Sequence, residues 1–305
     1  MTLSADAFAY VADLVRRRSA ILLQPGKEYL VESRLLPLAR SAGLSVEELV
    51  ARLRTRPVES DVTAVVEALT TNETSWFRDS TPFSALARHV LPRLVAARGG
   101  VGRLRVWSAA CSTGQEPFSI AMTLLDGLPP AMDAEIVATD LSAQVIERAR
   151  AGRYTQLEVN RGMPAPMLVR HLTRAGAEWQ VSDAVRAMVT FSVHNLLDAP
   201  PAGPFDVVFL RNVLIYFDLA TKRDILRRVA QVLRPDGVLV LGAAETTLGV
   251  DDGWDRVSVE RGSVYQRAAR RATEPAGVVT AAAGLPQPWL PPAVTTAGAT
   301  RGEAG

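Results

Sequence analysis

The chain of 305 residues has one cysteine, Cys111, and three histidines. A single thiol excludes an internal disulfide, and one cysteine with scattered histidines offers no metal-ligand spacing. No metal site is expected. Long apolar runs are missing too: nothing approaches the roughly 18 residues of a membrane-spanning helix. The N-terminus carries Asp6 and Asp13 and lacks the continuous apolar core of a signal peptide. Neither sign of charge dominates, with 34 basic and 32 acidic residues and a net charge of +2. Nucleic-acid binding proteins concentrate basic charge on one face, so nucleic acid is not an expected partner. These absences point to a soluble cytoplasmic protein that does not insert into membranes. Nothing requires more than a monomer.

What is present changes character along the chain. The first 80 residues read as helical. Phe8, Val11, Ala12 and Val15 form one apolar stripe, Val46, Leu49, Val50 and Leu53 a second, and Val62, Val65, Val66 and Leu69 a third. Ser45 and Glu48 have the spacing of a capping box. Between the first two stripes lies a helix with Val31, Leu35 and Leu38 on one face, ended by Gly43. Pro37 should kink or restart it. Residues 1–80 are expected to form a helical domain and residues 81–100 a connector helix ending at Gly99-Gly100.

From residue 101 to 268 the rhythm is strand, turn, helix. Strands are expected at Leu104–Ser108, Glu135–Asp140, Val189–Val193, Phe205–Leu210 and Val238–Gly242. The helices between them start with Pro117 in a first turn, at Ser142, and in "ATKRDILRRVAQVLRPDG", which Gly237 should cap. This alternation implies an α/β fold with a parallel, doubly wound sheet. The stretch 153–188 is too long for a simple connection and reads as an inserted subdomain. "DRVSVERGSVYQRA" reads as a hairpin turning at Arg261-Gly262 that adds antiparallel strands at the sheet edge. Residues 269–305, rich in Ala, Pro, Gly and Thr, read as a disordered tail.

Ligands of open α/β sheets bind beyond the carboxyl ends of the strands. After the first strand comes "SAACSTGQEP", small enough for close backbone approach but without the G-x-G-x-x-G of dinucleotide sites. Glu116, at the start of the next helix, would repel a phosphate. Asp140 ends the second strand, where an acid accepts hydrogen bonds from ribose. Asn195 and Leu196 follow the third strand, placed for an adenine edge and ring face. Arg211 and Asn212 follow the fourth and are hard to explain as packing; Tyr216 and Phe217 add an aromatic wall. Asp218 is a candidate helix cap. A ribose-binding acid, a loop unsuited to phosphate and an antiparallel edge hairpin favour S-adenosylmethionine over NAD, hence a methyltransferase of unnamed substrate.

The segments "TTNETSWFRD", "RVWSAACSTGQEPFSIAM", "ATDLS", "VTFSVHNLL", "FDVVFLRNVLIYFD" and "LRPDGVLVLGAAE" occur in this order. In this the sequence resembles CheR-type chemotaxis methyltransferases, over roughly residues 6–268. The resemblance implies a Rossmann-like class I methyltransferase sheet with a small inserted β-subdomain, preceded by an all-α domain. It implies methyl transfer from S-adenosyl-L-methionine to glutamate side chains in the cytoplasmic domains of chemoreceptors, the methyl-accepting chemotaxis proteins. The products are glutamate 5-methyl esters and S-adenosyl-L-homocysteine. By motif position, Asn72, Thr74 and Arg78 reach the cofactor from the connector region. Glu116 and Asp140 bind its polar groups, Asp140 on the ribose; Asn195 and Leu196 flank the adenine; Arg211 and Asn212 line the site. Tyr216 matches a tyrosine near the transferred methyl, and Arg78 and Tyr216 are the candidate catalytic pair. The sequence departs from the family pattern at Gln115 and Trp76. The turn in "TRAGAEWQV" is short and lacks the glycine-rich loop of members that grip a receptor tether.

A glutamate of pKa about 4.3 is already a carboxylate at neutral pH, so the reaction needs no general base. What the enzyme supplies is alignment, which contributes roughly 7–11 kcal/mol in well-oriented reactions. Two alternatives remain open: a cofactor-binding regulatory protein without activity, and a methyltransferase acting on another protein or a small molecule. In either case "TTNETSWFRD" is expected to be a lid, with a polar edge toward the cofactor and an aromatic backing.

Overall fold

The computed structural model describes residues 3–259 and 262–268. The disordered-tail expectation for 269–305 and the Arg261 position of the hairpin turn lie outside the described residues.

The apolar stripes near the N-terminus become four helices: α1 (Ala5–Ser19), α2 (Glu28–Ser41), α3 (Val46–Thr55) and α4 (Glu59–Leu69). Their stripes meet in one core that includes Val11, Val15, Leu35, Leu53 and Val65. The capping box at Ser45 and Glu48 forms as expected. Pro37 does not break α2, which runs through it as one helix. Pro37 faces solvent, so the carbonyl it leaves without a helical donor can be hydrated.

The connector begins with the run 70–80 and continues through α5 (Thr81–Ala85), a π-helical turn (Leu86–Val90) and α6 (Leu91–Ala97). Beyond it lie β1 (Gly102–Ala109), α7 (Gln115–Gly127), β2 (Met132–Asp140) and α8 (Ala143–Ala151). Ser142 caps α8 through its hydroxyl, and Gly152 ends it in a left-handed conformation. The insertion holds β3 (Arg153–Thr155), α9 (Gln156–Asn160), α10 (Ala165–His171), β4 (Leu172–Ala175), β5 (Glu178–Val181) and α11 (Asp183–Ala187). Its strands form a separate three-stranded sheet in the order β3-β5-β4. The β4–β5 connection is tight, with Gly176 at φ +65°.

The chain then returns to the main sheet with β6 (Val189–Val193), β7 (Phe205–Leu210), α12 (Leu219–Val232), β8 (Leu233–Leu241), β9 (Trp254–Val259) and β10 (Gly262–Arg267). The order in this seven-stranded sheet is β6-β2-β1-β7-β8-β10-β9. β6, β2, β1, β7 and β8 are mutually parallel. The hairpin joins by its second strand: β10 pairs antiparallel with β8, and β9 pairs antiparallel with β10 at the rim. The reversal is thus confined to β10, and β9 again runs with the parallel strands. Gly237 does not cap α12. The helix ends at Val232, and Gly237 lies inside β8, where a Cβ would come within 2.8 Å of the Leu233 side chain.

Side chains alternate across the sheet into two cores. Val106, Val207 and Phe209 face α7 and the connector with Phe83 and Phe118. Trp107, Val208 and Leu210 face α12 with Ile225 and Val229. Phe205 joins the second group despite its odd number because the β7–β8 register shifts between Phe205 and Val207. All six residues of β7 are buried, as expected for a strand covered on both faces.

Candidate functional site

The carboxyl ends of β1, β2, β6 and β7 open on a cleft, closed on the far side by the end of α1, the end of α4 and the connector. All ten residues selected from the sequence line it: Asn72, Thr74, Arg78, Glu116, Asp140, Asn195, Leu196, Arg211, Asn212 and Tyr216.

The β1 loop brings the first group together. Asp140, buried at the end of β2, accepts from the backbone N–H of Ser112 at 2.8 Å and of Ser142 at 3.1 Å. It therefore clamps the two strand ends while keeping lone pairs for a ligand. Burial raises its carboxyl above the ordinary value, opposed by those N–H groups. Glu116, in the first turn of α7, accepts from the Ser108 hydroxyl at 2.8 Å and the Arg211 guanidinium at 3.0 Å. Burial raises this carboxyl as well, against the pull of Arg211 and Ser108. Cys111 is enclosed in the same loop. Its thiol is pushed up by burial and by the neighbouring carboxylates Asp140 and Glu116, so it stays protonated and is no nucleophile.

Arg211 is the hub of the site. Its guanidinium donates to Glu116, to Asp79 at 2.8 Å and to the Arg78 carbonyl at 2.8 Å, and lies 5.6 Å over the Phe83 ring. Its side chain is only 1% exposed, and its Nε is buried without a hydrogen-bond partner. The residue lines the cleft as expected, yet two of its three hydrogen bonds fasten the connector to the sheet.

The connector run is pinned from behind. The Asn72 carbonyl accepts from the Ser112 hydroxyl at 2.7 Å, and Phe77 N–H donates to the Ser119 hydroxyl at 3.1 Å. Trp76 is fully buried, donates its backbone N–H to the Arg161 carbonyl and packs edge-on against Tyr154 at 4.8 Å, while its indole Nε1 has no hydrogen-bond partner. A Cβ on Gly162 would overlap the Trp76 carbonyl, so only glycine allows this approach. Trp76 thus rests on the inserted subdomain and Phe77 on α7 and Phe83. In front, Arg78 is half-buried, with one guanidinium nitrogen on the Glu73 carbonyl at 2.8 Å.

The opposite end of the cleft uses the helical domain. Asn195 donates its side-chain amide to the Arg18 carbonyl at 2.7 Å and accepts from Leu197 N–H at 3.1 Å. Leu22 N–H donates to the Tyr216 carbonyl at 3.0 Å. Ser19 and Ile21 consequently line the cleft, as do Ser112 and Leu141. Ser112 belongs to the small-residue loop read from the sequence; Ser19 and Ile21 carry no local signal, because the end of α1 reaches the site only through tertiary docking. His194, another lining residue, places its Nε2 at 2.9 Å from the Ala199 carbonyl. Asp218 caps α12 by accepting from Thr221 N–H.

Among the described residues, the non-glycine positions with positive φ are Ala20, Phe77, Asp79, Ser80, Ala110, Ser112 and Asn212. Every one lines the cleft or lies within two residues of one that does. Such backbone costs about 1–3 kcal/mol per residue and collects where a surface must be shaped for a ligand. The cleft presents buried carboxylates and apolar Leu141, Leu196 and Val213, which suits an amino group, ribose and a flat ring rather than phosphate.

Comparisons with known proteins agree with this geometry. Residues 72–262 match the CheR methyltransferase SAM-binding domain, and residues 6–70 match the CheR methyltransferase all-alpha domain. The chain is 43% identical over 262 residues to the chemotaxis protein methyltransferase Cher2 of Pseudomonas putida, covering 83% of this chain and 94% of that protein. It is 38% identical over 275 residues to chemotaxis protein methyltransferase 1 of Vibrio cholerae, covering 87% and 98%. It is 37% identical over 253 residues to the chemotaxis protein methyltransferase of Escherichia coli, covering 80% and 86%. A buried, phosphate-averse cleft on this sheet, a helical domain docked over it and these matches lead to one conclusion: the chain belongs to the CheR methyltransferase family and carries both its all-alpha and its S-adenosylmethionine-binding domains.

Proposed function

We propose that this protein transfers the methyl group of S-adenosylmethionine to glutamate side chains in the cytoplasmic domains of chemoreceptors, working in the cytoplasm as a monomer. The observation that carries this reading is the convergence of ten residues from five separate chain segments on one cleft. No helix among the described residues is long and apolar enough to cross a membrane.

Bound there, S-adenosylmethionine supplies an electrophilic methyl on a positively charged sulfur. Asp140 accepts from the ribose with the lone pairs left by Ser112 and Ser142. Glu116 and Asn72 take the polar end, and Leu196 covers the adenine. Asn195 holds the adenine end closed through Arg18 as well as offering its amide. Thr74 and Arg78 face the ligand from the connector, with Arg78 orienting the incoming carboxylate by charge-assisted hydrogen bonds. Tyr216 contributes a hydroxyl beside that carboxylate. The substrate carboxylate is ionised at neutral pH and needs no proton removed, so the chain's task is to align it and to exclude water.

The test is incubation with methyl-labelled S-adenosylmethionine and membranes carrying chemoreceptors. Base-labile label on the receptors is expected. Cofactor binding without label in any receptor state would favour a regulatory protein, and label on a soluble molecule instead would favour a different substrate.

A further inference from the structure

Glu245 lies in the turn after β8 and does not line the cleft. Its carboxylate nonetheless accepts four backbone N–H groups. Oε2 takes Asn212 at 2.8 Å and Gly242 at 2.7 Å; Oε1 takes Val213 at 2.9 Å and Leu214 at 2.7 Å. Three of these donors belong to the loop after β7, which turns at Asn212 with φ +57° and closes in the short 3₁₀ helix Leu214–Tyr216. The fit is tight. A Cβ on Gly242 would stand 2.7 Å from Glu245 Oε2 and 2.9 Å from the Asn212 nitrogen. An ionised carboxylate offers acceptors only, at about four lone-pair sites. An amide at this place would turn an NH₂ against N–H donors. Asn212 and Tyr216 both line the cleft, and the backbone that carries them is organised by this one side chain.

We infer that Glu245 is a positioning residue: by gathering these four N–H groups it holds Asn212 toward the cofactor and Tyr216 toward the reacting carboxylate, touching neither reactant. This rests on the reading of Asn212 and Tyr216 given under the proposed function. A brace that merely stabilised the fold would change melting and nothing else.

The experiment uses the full chain and four proteins: wild type, E245Q, Y216F and E245Q/Y216F. S-adenosylhomocysteine affinity is measured by calorimetry without receptor, kcat on receptor membranes, and folding by thermal melting. E245Q is expected to weaken S-adenosylhomocysteine and to lower kcat by about tenfold or more each, the size of a lost set of charge-assisted bonds. The double variant is expected to turn over as slowly as Y216F and no slower, because the two changes remove one function. E245D, which keeps an acceptor-only group, should recover part of the loss. Wild-type affinity and kcat in a folded E245Q overturn the inference, as do effects that multiply in the double variant. If E245Q does not fold, G242A displaces the same clamp from its other side and carries the same expectations. A slow Y216F beside a wild-type E245Q sinks this inference alone. A wild-type Y216F beside a slow E245Q sinks the role given to Tyr216 and, with it, the route from Glu245 to turnover. If no receptor is methylated at all, the proposed function fails, and the calorimetry still decides whether Glu245 shapes the cofactor wall.

Discussion

The two walls of the cleft are built on opposite principles. On the sheet side the polar side chains are largely engaged within the protein: Asp140 with the backbone N–H groups of Ser112 and Ser142, Glu116 with the Ser108 hydroxyl, and Arg211 with Glu116, Asp79 and the Arg78 carbonyl. On the connector side the backbone is pinned, at Asn72, Trp76, Phe77 and Arg78, while Thr74 and Arg78 turn half-buried side chains to the cleft. The first wall recognises by preformed shape. The second offers a charge and a hydroxyl held in place but not used up. The difference separates stability from chemistry, and substitutions should divide accordingly.

The largest effect is expected at the hub. Arg211→Ala leaves Glu116 as a buried carboxylate without its cation, a situation that costs about 3–5 kcal/mol. Chemical denaturation should show the loss, and cofactor binding should go with it. A stable Arg211→Ala protein with normal cofactor affinity would show that the sheet wall is not preformed by this network.

Arg78→Ala should do the reverse. It removes a charged group from the connector wall, a loss of about 1.5–3 kcal/mol for charge-assisted bonds. Turnover should fall roughly ten- to a hundredfold while the melting temperature stays at the wild-type value. A stability loss comparable to that of Arg211→Ala would erase the contrast between the walls.

Asp140→Asn sits between the two. An amide oxygen serves one of the N–H groups of Ser112 and Ser142 and leaves the other facing an NH₂, a cost of about 1–3 kcal/mol. Calorimetry should show at least roughly tenfold weaker S-adenosylhomocysteine. The pH dependence has a definite sign. Burial raises the Asp140 carboxyl, so it becomes protonated, and loses acceptor capacity, at a higher pH than an ordinary aspartate. Cofactor affinity in the wild type should therefore begin to fall on acidification before the usual carboxylate range is reached. Asp140→Asn should flatten that limb; an identical acid limb in the variant would exclude Asp140 as its source.

The smallest effect concerns the seam between the domains. Glu67 in α4 accepts from the Ser142 hydroxyl and the Ala143 N–H at 3.0 Å each, at the start of α8. Glu67→Gln should cost about 0.5–1.5 kcal/mol in denaturant unfolding, with kcat nearly unchanged. A collapse of turnover would mean that helical-domain docking controls the cleft more tightly than its few bonds imply.

Much of this was legible in the sequence because the physics was local. The stripes of α1, α3 and α4 and the Ser45–Glu48 box depend on neighbours a turn away, and all formed. The site residues were legible because a residue that ends a parallel strand must emerge at the carboxyl edge of the sheet, as Asp140, Arg211 and Asn195 do. What they bond to was not. The amide of Asn195 reaches a carbonyl 177 residues away, and Glu245 serves an N–H 33 residues away. Neither pairing leaves a periodicity or a spacing to read. The same holds for Gly237, a plausible helix cap by type: the sheet extends back to Leu233 and claims that glycine for a strand. The reversal confined to β10 likewise depends on which hairpin strand pairs with β8, a long-range choice.

The most direct test of the account is mass spectrometry of receptor peptides after reaction with S-adenosylmethionine, with wild type and Arg78→Ala compared side by side at matched folded concentration. Methyl esters on glutamate carboxylates are expected with the wild type, and a steep loss of them with Arg78→Ala. Unmodified glutamates with the wild type, or equal modification by both proteins, would contradict this expectation.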